Sequence, residues 1–206
     1  MVTPDVLIPR PETELIIESA VRSVRDRNRP QRIIDLCTGS GCIAVCLAKE
    51  LPQARILATD TSSQAISVAR GNARQNGVAD RIRFLEGDLF SPLEELDIHG
   101  QVDIIVSNPP YVPSGDFSAL QPEVRDYEPK MALLAGPDGT QVQRRIINEA
   151  SRFLMNHGLL IVEMGLGQAD PLAQLIRQRK DYGSLEILKD LAGIDRVIVA
   201  QKTTKG

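Results

Sequence analysis

The chain of 206 residues has no tryptophan, and aromatic residues make up only 3% of it. A platform that stacks nucleic-acid bases needs more flat rings than that. Excess positive charge is missing too. Twenty-four Lys and Arg face 27 Asp and Glu, for a net charge of −3, whereas electrostatic binding to phosphate backbones calls for a basic surface. No apolar run reaches the ~18–20 residues of a membrane span, and the opening MVTPDVLIPRPETE lacks the basic flank and apolar stretch of a signal peptide. No membrane association and no direct nucleic-acid contact are therefore expected. Cysteine is scarce and odd in number: Cys37, Cys42 and Cys46. That pattern suggests reduced thiols and a cytoplasmic setting. No CxxC accompanies them, and His99 and His157 are remote in sequence, so they are read as packing residues and no metal site is expected. Each histidine precedes a glycine and reads as part of a turn before a strand.

What the chain does have is alternation. Short β-branched runs at 32–36, 54–60, 82–88, 102–108 and 159–165 read as strands. Segments with helical apolar spacing at 12–26, 41–51, 62–75, 140–156 and 168–180 lie around them. Two last strands, 184–190 and 196–202, have no helix between them and should pair antiparallel. The expected fold is α/β, with a mostly parallel sheet covered on both faces and a terminal antiparallel pair. One domain over 1–206 is expected. It divides into an N-terminal segment and helix (1–30), a ligand-binding half (31–111), a proline-rich loop (112–139) and the rest of the sheet (140–206). That loop follows a strand's carboxyl end, where open α/β sheets bind ligands.

Three features point to chemistry. Asp35-Leu36-Cys37-Thr38-Gly39-Ser40-Gly41 runs from a strand through a tight turn into a helix. Its glycines permit positive φ and close approach of a ligand. With Cys37 where a dinucleotide fingerprint has its first glycine, the loop suits a nucleoside with a small zwitterionic tail better than a pyrophosphate. Asp60, roughly 20 residues on at a strand end, can accept both ribose hydroxyls, or merely cap the next helix. Asp88 can accept from an adenine amino group with Leu89 packed on the ring, or serve as a turn residue. The sharpest feature is Asn108-Pro109-Pro110-Tyr111. Each proline fixes φ and removes an N–H. What remains is a rigid set of acceptors, the Asn108 side-chain oxygen and the Pro109 carbonyl, with Tyr111 as a flat wall. Two fixed acceptors suit a planar –NH₂, on a carboxamide or on a base. Holding both N–H bonds orients a poor nitrogen nucleophile for in-line attack on a methyl sulfonium and stabilises the charge that grows on it.

With Val6-Leu7-Ile8-Pro9-Arg10-Pro11-Glu12-Thr13-Glu14 ahead of DLCTGSG, NPPY, Glu128-Pro129 and a closing DLAGIDR, the chain resembles the PrmC/HemK family over nearly its whole length. These are S-adenosylmethionine-dependent methyltransferases that act on the glutamine of the Gly-Gly-Gln loop of peptide chain release factors. The resemblance implies a Rossmann-like class I methyltransferase fold with a seven-stranded sheet, S-adenosyl-L-methionine as cofactor (S-adenosyl-L-homocysteine as product) and a release factor as protein substrate. It assigns Cys37, Thr38, Gly39, Ser40, Gly41, Asp60, Leu89 and Asn108 to the cofactor, and the reading of the residues adds Asp88. Asn108, Pro109, Pro110 and Tyr111 are assigned to the substrate glutamine, with Asn108, Pro109 and Tyr111 catalytic. The family usually carries a helical domain before this region, and that domain is expected to be absent here. Alternatives are methylation of a ribosomal-protein glutamine, of a nucleic-acid adenine, or a non-catalytic cofactor-binding scaffold.

Overall fold

The computed structural model describes residues 1–204. Seven strands form one sheet: β1 (Arg32–Leu36), β2 (Arg55–Asp60), β3 (Ile82–Glu86), β4 (Val102–Ser107), β5 (Leu154–Glu163), β6 (Tyr182–Lys189) and β7 (Asp195–Lys202). Their spatial order is β3-β2-β1-β4-β5-β7-β6. The first five run parallel, and β7 is antiparallel to both β5 and β6. Successive side chains of a strand point to opposite faces, so a sheet covered on both sides needs apolar residues throughout. Ile33 and Ile34, Ile104 and Ile105, and Leu160 and Ile161 show the division. The first of these helix layers, α1 (Glu14–Ser23), α2 (Cys42–Glu50) and α3 (Ser63–Gln75), packs on Ile33, Ile104 and Ile161. On the other face, α5 (Gln141–Phe153) and α6 (Ala169–Arg177) pack on Ile34, Ile105 and Leu160. The four-residue α4 (Pro122–Arg125) lies within the proline-rich loop.

The chain lays β2 and β3 on one side of β1, then returns to place β4 on the other. Loops from β1 and β4 therefore diverge at their carboxyl ends, and a crevice opens between them. The Ser107 hydroxyl donates to the Leu36 carbonyl at 2.8 Å and ties the two strand ends together beneath it.

Three expectations need correction. The first helix begins at Glu14 instead of residue 12, because Pro11–Thr13 forms a tighter 3-10 turn, and it ends at Ser23, ahead of the polar run to Arg29. The helix expected over 140–156 stops at Phe153, and β5 starts at once. Val102 pairs with Leu154 but Ile104 pairs with Leu159, so residues 155–158 bulge out of the ladder. His157 sits in that bulge, at φ +64, and not in a turn before the strand. A side chain at Gly158 would meet the Val102 carbonyl at 2.9 Å, which explains the glycine there.

Residues 112–139 contain only short turns and α4, but the segment is anchored. Val112 bridges Leu134 at its base. Farther out, Arg10 makes a two-pronged ion pair with Glu128, with Arg10 Nη2 at 2.7 and 2.8 Å from the two carboxylate oxygens. No helix among the described residues is long and apolar enough to cross a membrane.

Candidate functional site

The crevice is walled by the loops after β1, β2, β3 and β4, by Val6, Leu7, Pro9 and Thr13, and by Met131 and Arg145 from the other side. After β1 the chain turns at Cys37, φ +57, in a conformation that costs a residue with a Cβ of the order of 1–3 kcal/mol. That is the backbone shape expected of a glycine at this place. Thr38 and Ser40 are buried, and the Thr38 hydroxyl donates to Asp35 at 2.6 Å. Burial pushes the Asp35 carboxyl up to about 7. Gly39 (φ +53) leaves open space where a side chain would stand. Gly41 (φ +77) has none: a Cβ there would lie 2.9 Å from that of Ala69, so this glycine also lets α2 settle on α3.

Asp60 ends β2 beside that turn. One carboxylate oxygen accepts from the Gly39 N–H and the other from the Ser62 N–H, both at 2.9 Å. It thus braces the glycine turn and the start of α3 together. Each oxygen keeps a second lone pair, which leaves two acceptor sites for a diol. Burial holds the Asp60 carboxyl above its ordinary range. Leu89 is buried in the wall with φ +48, a strained value for a branched side chain, and its carbonyl accepts from Thr59 Oγ1 at 3.0 Å. Asp88 lines the cleft too, but its carboxylate pairs with Arg145 Nη2 at 2.6 Å. Arg145, on α5, was not anticipated in the sequence.

At the end of β4, Asn108 and Pro110 line the cleft, while Pro109 is buried and Tyr111 stands behind them. The Tyr111 ring packs close to Gly165, its hydroxyl lies within reach of the Glu163 carboxylate, and its backbone carbonyl accepts from Gln168 Nε2 at 2.8 Å. Burial pushes the Tyr111 phenol up to about 12. The flat wall expected of Tyr111 is therefore spent on holding the turn from behind. Asn108 Nδ2 donates to Thr13 Oγ1 at 2.9 Å, and Thr13 Oγ1 donates in turn to Glu163 Oε2 at 3.0 Å. Asn108 Oδ1 is buried and has no partner within the protein. An orphaned buried acceptor is costly, and Asn108 borders a cleft whose ligand can donate to it.

Neither Thr13 nor Glu163 was assigned a role from the sequence. Glu163 carried a usable signal, since it is an acid closing an apolar strand, as Asp35 and Asp60 are. Burial pushes it up to about 7. The three cysteines are free and half-buried, and Cys37 and Cys42 line the cleft as well as packing. The donor set is that of a pocket for a nucleoside with a short polar tail, ending at an acceptor for an –NH₂.

Residues 13–121 match the family described as Methyltransferase small domain. The release factor glutamine methyltransferase of Thermodesulfovibrio yellowstonii is 43% identical over 199 residues, which covers 96% of this chain and 69% of that protein. The structure of a release-factor-specific protein-(glutamine-N5) methyltransferase from Alicyclobacillus acidocaldarius is 30% identical, with TM-score 0.57, and the match covers 98% of this chain and 99% of that one. The human METTL16 catalytic domain, solved with an RNA hairpin, superposes with TM-score 0.74 over 100% of this chain and 75% of that one. At 17% identity it speaks for the fold alone.

Proposed function

The chain belongs to the release factor glutamine methyltransferases, and on that premise we propose how its cleft carries out the reaction and on which glutamine. It is an S-adenosylmethionine-dependent enzyme that methylates the side-chain amide nitrogen of glutamine, and the proposed target is the Gly-Gly-Gln loop of a peptide chain release factor in the cytoplasm. The observation that carries this reading is the buried, unpartnered Asn108 Oδ1, whose own amide nitrogen is already committed to Thr13.

The residues present fit the cofactor. Asp60 offers two free acceptor sites beside the glycine turn, Gly39 leaves room over the backbone, and Leu89 supplies an apolar surface. Cys37, Thr38, Ser40 and Gly41 would hold its tail. The Asp88–Arg145 pair would border its base. When bound, S-adenosylmethionine supplies a methyl group on a sulfonium.

Asn108 Oδ1 accepts one N–H of the substrate carboxamide, and the Pro109 carbonyl accepts the other. A carboxamide nitrogen is a poor nucleophile because its lone pair is delocalised. Two fixed acceptors hold it with that lone pair aimed along one line, an orientation that contributes up to ~7–11 kcal/mol against free encounter. They also stabilise the positive charge on nitrogen as it reacts, without having to reorganise. Pro110 shapes the entrance, and Tyr111, clamped by Gln168, keeps the turn from shifting.

The test is incubation with labelled cofactor and a release factor, followed by mass mapping. Label confined to the Gly-Gly-Gln glutamine supports the proposal. Label on a ribosomal-protein glutamine or on a nucleic-acid adenine, with none on the release factor, overturns it.

A further inference from the structure

Thr13 and Glu163 lie 150 residues apart in the chain and meet behind Asn108. A hydroxyl has one proton to donate. Thr13 gives its proton to Glu163 and therefore meets the Asn108 amide as an acceptor. An amide can turn either its oxygen or its nitrogen to the cleft, and the two have nearly the same shape. Only the group behind it decides which. An ionised carboxylate has no proton to give, so it fixes the direction of every hydrogen bond in the chain Asn108→Thr13→Glu163.

We propose that Thr13 and Glu163 are positioning residues that set the polarity of the Asn108 amide, so that its oxygen and not its –NH₂ meets the substrate nitrogen. The proposal rests on the methyl-transfer reading above. It assigns a role to the hydrogen-bonded threonine and glutamate behind Asn108, which act on the substrate through that amide. If Glu163 takes up a proton it can donate to Thr13. The threonine proton is then free to point at Asn108, and the amide can turn its –NH₂ into the cleft, where it repels an N–H. Neutralising Glu163 therefore switches off the acceptor without disturbing the fold. Burial, which holds this carboxyl near neutrality, places that event within reach of ordinary assays. Glu12 from the turn before α1, Tyr111 from the loop after β4 and Arg196 from β7 are the charged or titratable groups that face it.

The experiment measures single-turnover methylation of a release factor with labelled S-adenosylmethionine from pH 5.5 to 8.5. Wild type should lose kcat as pH falls through the Glu163 titration. Glu163→Gln should give a flat acid limb, and Glu12→Gln should keep it. Thr13→Val should lower kcat by roughly 10- to 100-fold, the scale for a residue that supports a substrate-touching group, with Kd for S-adenosylhomocysteine and KM within about threefold. Thr13→Ser, which keeps the hydroxyl, should restore kcat. Wild-type kcat in a folded Thr13→Val, or an acid limb that persists in Glu163→Gln, overturns the relay. If Thr13→Val shows no cooperative thermal unfolding transition it has failed to fold, and the Glu163→Gln profile decides. Absence of any glutamine methylation by wild type instead refutes the underlying functional reading.

Discussion

Replacing Asp60 by alanine separates the two things this carboxylate does. Inside the protein it accepts the N–H groups of Gly39 and Ser62, each at 2.9 Å. Toward the cleft, one lone pair per oxygen remains, the pair of acceptors that we propose takes a ribose diol. Loss of charged hydrogen bonds to the ligand should cost ~1.5–3 kcal/mol, roughly 10- to 150-fold in Kd. Loss of the internal bonds costs something similar on paper. However, burial already raises the Asp60 carboxyl above its ordinary range, so its ionised form is unfavourable in the fold. Removing it relieves that penalty and offsets part of the loss. The fall in stability should therefore be ~1–2 kcal/mol, which lowers Tm by roughly 2–8 °C for a chain of this size, while affinity falls by an order of magnitude or more. Asp60→Asn should land between, since one oxygen remains for one of the two backbone donors. Titration calorimetry with S-adenosylhomocysteine, beside thermal melts, gives both numbers. An unchanged Kd in a folded Asp60→Ala would remove this residue from the cofactor site.

Asn108→Ala should lower kcat by ~10²–10³, the scale for losing one preorganised polar group, with S-adenosylhomocysteine affinity nearly intact; normal turnover in single-turnover assays refutes the acceptor role. Gly41→Ala must take φ +77 and place a methyl 2.9 Å from the Ala69 Cβ, so urea unfolding should show a loss of ~2–4 kcal/mol. Gly39→Ala has space for its methyl and should lose only ~1 kcal/mol while weakening cofactor binding. Glu163 also bears on stability: its carboxyl is raised from 4.5 to about 7 in the fold. A raised carboxyl favours the folded state fully below its unfolded pKa, and that contribution is lost as pH rises through the folded one. Glu163→Gln should therefore gain stability relative to wild type between about pH 4.5 and 8, and denaturant melts at the two ends that show the opposite trend would refute the burial argument.

The strands were legible because each is a short β-branched run, and β1, β4 and β5 must be apolar on both sides to lie between two helix layers. Asp35, Asp60 and Asn108 were legible because they stand at strand ends, where a crevice forms. The bulge at 155–158 was not. Asn156-His157-Gly158 has the composition of a turn, and only the pairing of Val102 with Leu154 shows that the strand has already begun. Thr13 escaped for a different reason. It lies 95 residues from Asn108, and polar pairing across such a distance leaves no periodicity to read. Tyr111 was placed correctly beside Asn108, but which way its ring turned depended on Gly165 and Gln168, on a loop after another strand.

The anchoring of the proline-rich loop bears on how freely its length can vary. Val112 pairs with Leu134 at the base, and Glu128 is held by Arg10 partway round. The stretch that forms cleft wall, 129–134, lies between these two fixings. The lobe from Ser114 to Tyr127 fills the other interval, between Val112 and Glu128, and is mostly exposed. Lengthening a loop raises the entropy of closing it only slowly, so insertions in that lobe leave the wall where it is. Its outline can diverge to suit a different protein surface while the pocket behind it stays the same.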